Sequence, residues 1–403
     1  MKTIIIGGSH AALALAADLR KLSADAEITI VYGDQGLPYQ RPPLSKTFMS
    51  QKVTLEQILL RPEDWYETNR VTLKSGRTVD AIDRDKQTVT LSDGSALSYD
   101  RLVIATGAKP RRLPAAIGGT LENVYVMRDL GDALTLMNRM TEGARLVVIG
   151  GGYIGLEAAS EAAKKGVQVT VIEAADRILK RVACAETADD VRALHQAHGV
   201  RIFENATIAR IVGDDGIASG VELSDGSVIA ADFIITGIGV DPDTALAASA
   251  GLAVANGIIV NSQLQTSDPA IFAIGDCASF PYKGQTIRLE SVQNANDMGI
   301  VAAQNILGGT VDYKPVPWFW SDQFDLKLQI AGLSLGYDNV INRPGAREGA
   351  KSHFYFNGDE FLAVDCLNDG ATYMIARRLL EGGKTFTRAQ VNDHALNLKS
   401  LLN

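Results

Sequence analysis

Cysteine is scarce in this chain of 403 residues, with only Cys184, Cys277 and Cys366. They are odd in number, scattered and without a C-x-x-C pair, which excludes both a disulfide framework and an active-site dithiol built from neighbouring cysteines. Histidine is almost as sparse, at five. His195 and His198 stand three apart on an expected helix, yet no third ligand accompanies them, so a solvated helix face is expected rather than a metal site. Basic charge is not in excess: 47 acidic residues outweigh 39 lysines and arginines for a net charge of −8, which argues against general nucleic-acid binding. No apolar run has the length and purity needed to cross a bilayer.

With 46% apolar and 21% charged residues, the chain reads as globular and long enough for two or three domains. Its most informative stretch is residues 145–173, RLVVIGGGYIGLEAASEAAKKGVQVTVIE. Residues 146–149 are a continuous β-rich apolar run, as a parallel strand buried on both faces requires. Gly150, Gly152 and Gly155 supply G-x-G-x-x-G: a tight turn, room for a pyrophosphate against the backbone, and close packing of helix on strand. The phosphates are expected at the N-terminus of the helix that follows. A second strand over 167–172 then ends at Glu173, near the spacing of about 20 residues expected for an acid that binds an adenosine ribose. A carboxylate there accepts from both ribose hydroxyls but repels a 2′-phosphate by about 4 kcal/mol at roughly 4 Å and an effective dielectric near 20. NADH is therefore expected over NADPH, although Arg177, Lys180 and Arg181 follow closely enough to soften the preference.

Residues 3–33 are a weaker copy. A strand over 4–6, a turn at Gly7, a helix over 11–22 and a strand over 28–31 recur, but Gly7, Ser9 and Ala12 stand where G, G and G/A are expected. The serine hydroxyl is a candidate phosphate donor. The acid is displaced to Asp34, after Tyr32 and Gly33. Removing the first twenty residues as an export signal, which they superficially resemble, would delete half of this site, so a cytoplasmic protein is expected. Duplication supports the site further. Leu-Ser-Asp-Gly occurs at 91–94 and 223–226, each followed by an apolar strand ending in G-x-x-P at 107–110 and 239–242, and Gly94 precedes Gly107 by the same thirteen residues as Gly226 precedes Gly239. Two dinucleotide-binding modules, each with an inserted β-meander, imply two facing cofactors.

Between the first strand pair and the first hairpin lies RPPLSK at 41–46. Its two prolines predict a stiff extended segment without backbone donors, and Ser45 is a candidate helix start. Residues 266–276, TSDPAIFAIGD, read as a buried strand delivering Gly275 and Asp276 to its C-terminal end, where an acid can bind a polyol chain. From about residue 314 the character changes: Trp318, Phe319 and Trp320 precede Ser321, Asp322 and Gln323, then alternation resumes at Leu326, Leu328 and Ile330. Strands over 353–356 and 361–364 and a basic helix over 374–380 complete a small α+β domain. The expected fold is α/β, with two Rossmann-like modules in the manner of glutathione reductase. Residues 1–109 with 237–315 form the first module, 110–236 the second, and 316–403 the C-terminal α+β domain.

Assembled, these residues resemble the FAD-containing, NADH-dependent ferredoxin reductases of bacterial oxygenase systems over nearly the full length. The specific elements are RPPLSK at 41–46, ATGAKPR at 105–111, VVIGGGYIGLE at 147–157, TSDPAIFAIGDCA at 266–278 and PWFWSDQ at 317–323. The resemblance implies FAD contacts from Gly7, Ser9, Ala11, Ala12, Asp34, Arg41, Pro43, Lys46, Ala105, Thr106, Gly107 and Arg128. Val79 would meet the adenine through its backbone, Asp276 the ribityl chain, Val292 the flavin ring and Trp320 the flavin edge. NADH contacts would come from Gly150, Gly152, Ile154, Gly155, Glu157, Glu173 and Gly239. Glu157 would face Lys46 near the flavin N5, making Lys46, Glu157 and Trp320 the residues closest to the chemistry.

What the resemblance implies for activity is hydride transfer from NADH to FAD, then single electrons to a small acidic [2Fe-2S] ferredoxin that supplies a Rieske dioxygenase or cytochrome P450. No metal site, nucleic-acid partner or membrane is expected, and a monomer is. Lys283, Arg288 and Lys327 are either a basic landing site for the ferredoxin or dispersed solvated charges. Rubredoxin reductase or NADH oxidase on the same scaffold remains open, the latter resting on Cys277 as its only candidate redox cysteine. A non-turnover NADH sensor, signalling through a long-lived complex, is a third reading.

Overall fold

The computed structural model describes residues 1–402. They divide into two compact units: Met1–Arg41, Val53–Lys109 and Val240–Pro315 in the first, and Pro42–Lys52, Pro110–Gly239 and residues from Val316 onward in the second.

The first unit is built on a five-stranded parallel sheet whose strands lie in the order Ile271–Ala273, Arg101–Ile104, Lys2–Ile6, Glu27–Tyr32, Val71–Ser75. Parallel neighbours cannot be joined by a tight turn, and the helix His10–Leu22 makes the first crossover. Ile4, Ile5 and Ile6 are all buried, so no hydrophobic alternation survives in that strand. The helix Val292–Ile306 packs on His10–Leu22 backbone to backbone, because Gly299 has no side chain: a Cβ there would stand 2.7 Å from the Ala11 carbonyl oxygen.

The second unit repeats the plan with strands in the order Arg201–Phe203, Gln168–Ile172, Arg145–Ile149, Phe233–Thr236, Val124–Tyr125. In the first sheet the outermost strand beside Arg101–Ile104 arrives late in the chain, whereas its counterpart beside Phe233–Thr236 arrives before the module's own first strand. Each module also carries its meander, Val79–Asp83, Thr88–Leu91, Ala96–Ser98 in one and Ile208–Asp214, Ile217–Leu223, Val228–Ala230 in the other. The repeated Leu-Ser-Asp-Gly turns match in detail. Asp93 accepts from the Ser95 amide and hydroxyl at 3.0 and 2.6 Å, and Asp225 from those of Ser227 at 2.9 and 2.6 Å. Those hydroxyls are the main reason both carboxyls are held below the usual range.

The second unit also holds an antiparallel sheet in the order Trp318–Gln323, Leu326–Gly332, Glu360–Leu367, Lys351–Asn357, Asn339–Pro344. The helix Gly370–Glu381 covers it over a core of its own that includes Phe354, Phe356, Phe361 and Phe386. The expected α/β class with an α+β C-terminal part is what the chain adopts.

Two local expectations are corrected. Residues 42–45 form a 3₁₀ turn, not an extended segment. The fixed φ of proline suits the first positions of such a turn as well as an extended strand. Ser45 stands at its end and starts no helix. His195 is not on a solvated face: it is fully buried in the helix Ala185–Ala197, while His198 is exposed and stacks on Phe324 at 3.9 Å between ring centres.

Candidate functional site: two glycine turns and a buried ion pair

The glycine turn of the second unit shows three different reasons for glycine. Gly150 has φ +104°, and a Cβ there would stand 2.5 Å from the Gly237 carbonyl oxygen. Gly155 lets the helix Tyr153–Lys164 settle on its strand, since a Cβ would meet the Gly150 carbonyl oxygen at 2.5 Å. Gly152 is different: its φ is −82° and a Cβ would meet no protein atom within 4 Å. Neither backbone nor packing demands glycine there, which leaves open space at the N-terminus of a helix, the cradle that a pyrophosphate needs.

Glu173 closes this turn. Its Oε2 accepts from the Gly151 amide at 2.7 Å and its Oε1 from the Ala175 amide at 2.8 Å. Each carboxylate oxygen has a second lone pair for a further donor. Of the three cations downstream, Arg177 donates to the Cys184 carbonyl at 3.3 Å and Lys180 pairs with Asp176 at 2.9 Å, while Arg181 is exposed. Ile154 is 44% exposed at the start of the helix, and Gly239, at φ +102°, accepts from the Arg111 amide at 3.0 Å.

In the first unit, Gly7 repeats Gly150, with φ +116° and the Ala105 carbonyl oxygen 2.1 Å from a built Cβ. Ser9 stands at the N-cap of His10–Leu22 but makes no side-chain cap; its hydroxyl lies 3.5 Å from His10 Nδ1. Burial first, then the nearby Arg41 charge, lower the His10 pKa to about 4. The structure brings Ala11 to Gly275, where a built Cβ would lie 3.3 Å from that of Ala11, so Asp276 is delivered beside the turn on the 3₁₀ turn Gly275–Cys277. Ala12 is buried on the same helix. Asp34 is engaged within the unit by Arg41 at 3.0 Å and the Tyr39 hydroxyl at 3.1 Å. Thr106 donates to the Asp243 carbonyl at 2.7 Å between the buried Ala105 and Gly107 at φ +72°. Val79 opens a meander strand and Val292 opens a helix whose N-cap is Ser291.

Lys46 and Glu157 meet inside the second unit. The Lys46 Nζ to Glu157 Oε2 distance is 2.7 Å, with 14% and 3% of the two side chains exposed. The 3₁₀ turn makes this possible: Pro43 takes the Lys46 and Phe48 amides at 3.0 and 2.9 Å, and Ser45 donates its hydroxyl to Glu157 Oε2 at 2.7 Å. Ser321 donates to Glu157 Oε1, also at 2.7 Å. Glu157 thus accepts from one cation and two hydroxyls, the compensation that a buried carboxylate requires. Trp320 is half-buried, its ring 5.8 Å from Trp318 and 6.2 Å from Phe319. The Arg128 amide donates to Asp132 at 2.9 Å.

Sequence reasoning missed Ser45 and Ser321 as partners of Glu157, and it missed Gly8 and Gly151. A Cβ on Gly8 would strike the Tyr32 ring at 2.6 Å, and one on Gly151 would strike Ile178 at 2.6 Å. The unbroken glycine runs at 7–8 and 150–152 were the available signal. Of the three cations considered for a landing site, Arg288 is turned inward, donating to the Asp276 carbonyl at 3.1 Å and pairing with Glu290 at 2.7 Å. Lys283 and Lys327 are exposed.

A parallel-sheet pair of glycine-turn modules with an antiparallel C-terminal sheet defines a dinucleotide-dependent oxidoreductase, and the comparisons agree. The chain belongs to the pyridine nucleotide-disulphide oxidoreductase family, whose model matches residues 1–299, and a reductase C-terminal model matches residues 318–402. It is 42% identical over 401 residues to rhodocoxin reductase from Rhodococcus erythropolis, covering 99% of this chain and 94% of that one. Among solved structures it resembles the ferredoxin reductase for the CYP199A2 system from Rhodopseudomonas palustris, with TM-score 0.96, 37% identity and 100% coverage of both chains. It also resembles a covalent putidaredoxin reductase–putidaredoxin complex, with TM-score 0.95, 38% identity, and 100% and 98% coverage. These findings bear out the family read from the residue motifs. Among the described residues, no helix is long and apolar enough to cross a membrane.

Proposed function

We propose that the chain is an FAD-dependent NADH:ferredoxin reductase, passing electrons singly to a [2Fe-2S] ferredoxin that serves a terminal oxygenase. The observation that carries this reading is the buried Lys46–Glu157 pair, with Glu157 on the helix that opens at the Gly150–Gly155 turn. The residues fit the two cofactors. Gly152 leaves open space where a pyrophosphate would lie, and Ser9 keeps its hydroxyl out of its own helix cap. In the first unit, Gly7, Ser9, Ala11, Asp34, Arg41 and Asp276 would hold FAD. When bound, FAD supplies hydride acceptance and one-electron release. The chain's own contribution is positioning and charge. Lys46, held by Glu157 at 2.7 Å, would supply a preorganised cation for negative charge on reduced flavin. Glu173 disfavours a 2′-phosphate, the more so because Arg177 and Lys180 are engaged elsewhere.

The three cysteines are free and buried. Burial raises the Cys277 thiol above its usual pKa, which works against the thiolate that an oxidase of this type requires. Electron exit through a flavin edge rather than a thiol, in a cytoplasmic monomer, is the form of this reading. Anaerobic stopped-flow reduction by NADH and by NADPH, followed by mixing with [2Fe-2S] ferredoxins and a rubredoxin, tests the proposal. Faster bleaching by NADH and rapid reoxidation by a ferredoxin are expected. Reduced protein that persists with every partner would end the reading, and reoxidation by rubredoxin alone would redirect it.

A further inference from the structure

The hydrogen bonding at Glu157 continues beyond its three donors. Ser321 accepts from Gln323 Nε2 at 3.0 Å, and Gln323 Oε1 lies 2.8 Å from His195 Nε2. Glu157, Ser321, Gln323 and His195 are 2%, 0%, 1% and 0% exposed. Ser321 and Gln323 alternate onto one face of their strand, between the Glu157 helix and the His195 helix, all within the second unit.

Only one arrangement of protons satisfies this row. Glu157 as a carboxylate can only accept, so Ser321 spends its single proton on it. Ser321 must then accept from the Gln323 amide nitrogen, which turns the Gln323 oxygen to His195. His195 Nε2 must therefore carry a proton, leaving Nδ1 bare, and Nδ1 is indeed a buried atom with no partner. Burial keeps the ring neutral, with its pKa lowered to about 4. Every bond in the row donates toward Glu157.

We propose that Gln323 and His195 are positioning residues: their polarised row orients Ser321, which holds the Glu157 carboxylate and, through it, the Lys46 ammonium. The proposal rests on the flavoprotein reading above. If the row is cut, the Ser321 hydroxyl can rotate, Glu157 loses a fixed donor and Lys46 gains freedom, so stabilisation of reduced flavin weakens. A row that served packing alone would affect stability and nothing else.

The test uses flavin-loaded wild type, Gln323→Met, His195→Phe and His195→Gln, the last of which retains a donor to Gln323. Measured quantities are the two-electron flavin potential, kcat and KM for NADH with ferricyanide, thermal midpoint, and the histidine ¹⁵N spectrum. Gln323→Met and His195→Phe should move the flavin equilibrium about tenfold toward the oxidised form, roughly 30 mV for two electrons. They should also lower kcat several-fold at unchanged KM. His195→Gln should restore both, and wild-type His195 should show the Nε2–H tautomer. Folded Gln323→Met and His195→Phe with wild-type potential and kcat would overturn the proposal, as would an Nδ1–H tautomer. If Gln323→Met does not fold, the two His195 variants decide alone. Wild type that NADH cannot reduce would instead sink the functional reading, and the positioning role with it.

Discussion

At the residue scale, Gly150 and Gly152 sit two positions apart in one motif yet answer to different physics. Alanine at 150 must hold a φ of +104° and approach the Gly237 carbonyl oxygen at 2.5 Å. Strain of this kind costs about 1–3 kcal/mol before the steric contact is added, so Gly150→Ala should lose about 3 kcal/mol in chemical denaturation. Alanine at 152 meets no protein atom and keeps an ordinary φ. Gly152→Ala should therefore unfold within about 0.5 kcal/mol of wild type while binding NADH at least tenfold more weakly, as read by titration. Matching stability losses at both positions would mean that Gly152 serves the fold rather than a ligand. The motif was legible in the sequence because its fixed G-x-G-x-x-G spacing is the signal, even though the reason for Gly150 lies as far off as Gly237. The middle glycines, Gly8 and Gly151, fall outside that spacing, and their reasons, Tyr32 and Ile178, lie more than twenty residues away.

At the scale of elements, the first two strands of each glycine-turn module were recovered to within two residues, since uninterrupted β-branched runs leave no competing helical period, whereas edge strands such as Val71–Ser75 and Arg201–Phe203 were not read at all. The segment at 42–45 was misread because proline's φ is shared by extended and 3₁₀ backbone, and only the reach of Ser45 and Lys46 to Glu157, over a hundred residues on, selects between them. His195 was misread for a related reason: its partner Gln323 comes from a strand 128 residues later. The C-terminal segment depends on a similar distant contact. Buried Arg343 donates to the carbonyls of Gln390, Val391, Asp393 and Leu396 at 3.3, 2.8, 2.7 and 2.6 Å. Five guanidinium hydrogens suit this gathering of carbonyls as no other side chain does. Arg343→Leu removes the donor these carbonyls share, and among the described residues only that of Asp393 keeps a backbone partner, the Leu396 amide at 3.1 Å; each acceptor left bare costs about 1–3 kcal/mol where water cannot replace the donor. The expected result is early proteolytic cleavage between residues 384 and 400, with the remainder of the chain resistant; simultaneous digestion of both units would show that Arg343 supports more than its own segment.

At the scale of the whole molecule, three buried groups set how stability follows pH. His10 and His195 have their pKa values lowered to about 4, chiefly by burial. Each contributes stability fully present above the unfolded value near 6.5 and lost as pH falls toward 4. Asp365 runs the other way. Burial raises it to about 6 against the opposing hydrogen bonds from Tyr355 and Thr187, so its contribution is complete below about 3.8 and lost as pH rises through 6. Near pH 5.5 the unfolded chain therefore binds about two more protons at the histidines, and the folded chain about one more at Asp365. The difference is about one proton, so stability should fall by about 1.4 kcal/mol per unit of acidification between roughly pH 6 and 4.5. His195→Gln keeps the donor to Gln323 but cannot titrate, which removes one of the two histidine protons and should flatten that slope to near zero. Denaturant midpoints at half-unit pH steps read this directly. An unchanged slope in His195→Gln would show that His195 does not carry the acid sensitivity, because the exposed carboxylates, lowered by their hydrogen bonds, lose their own contribution only below this window.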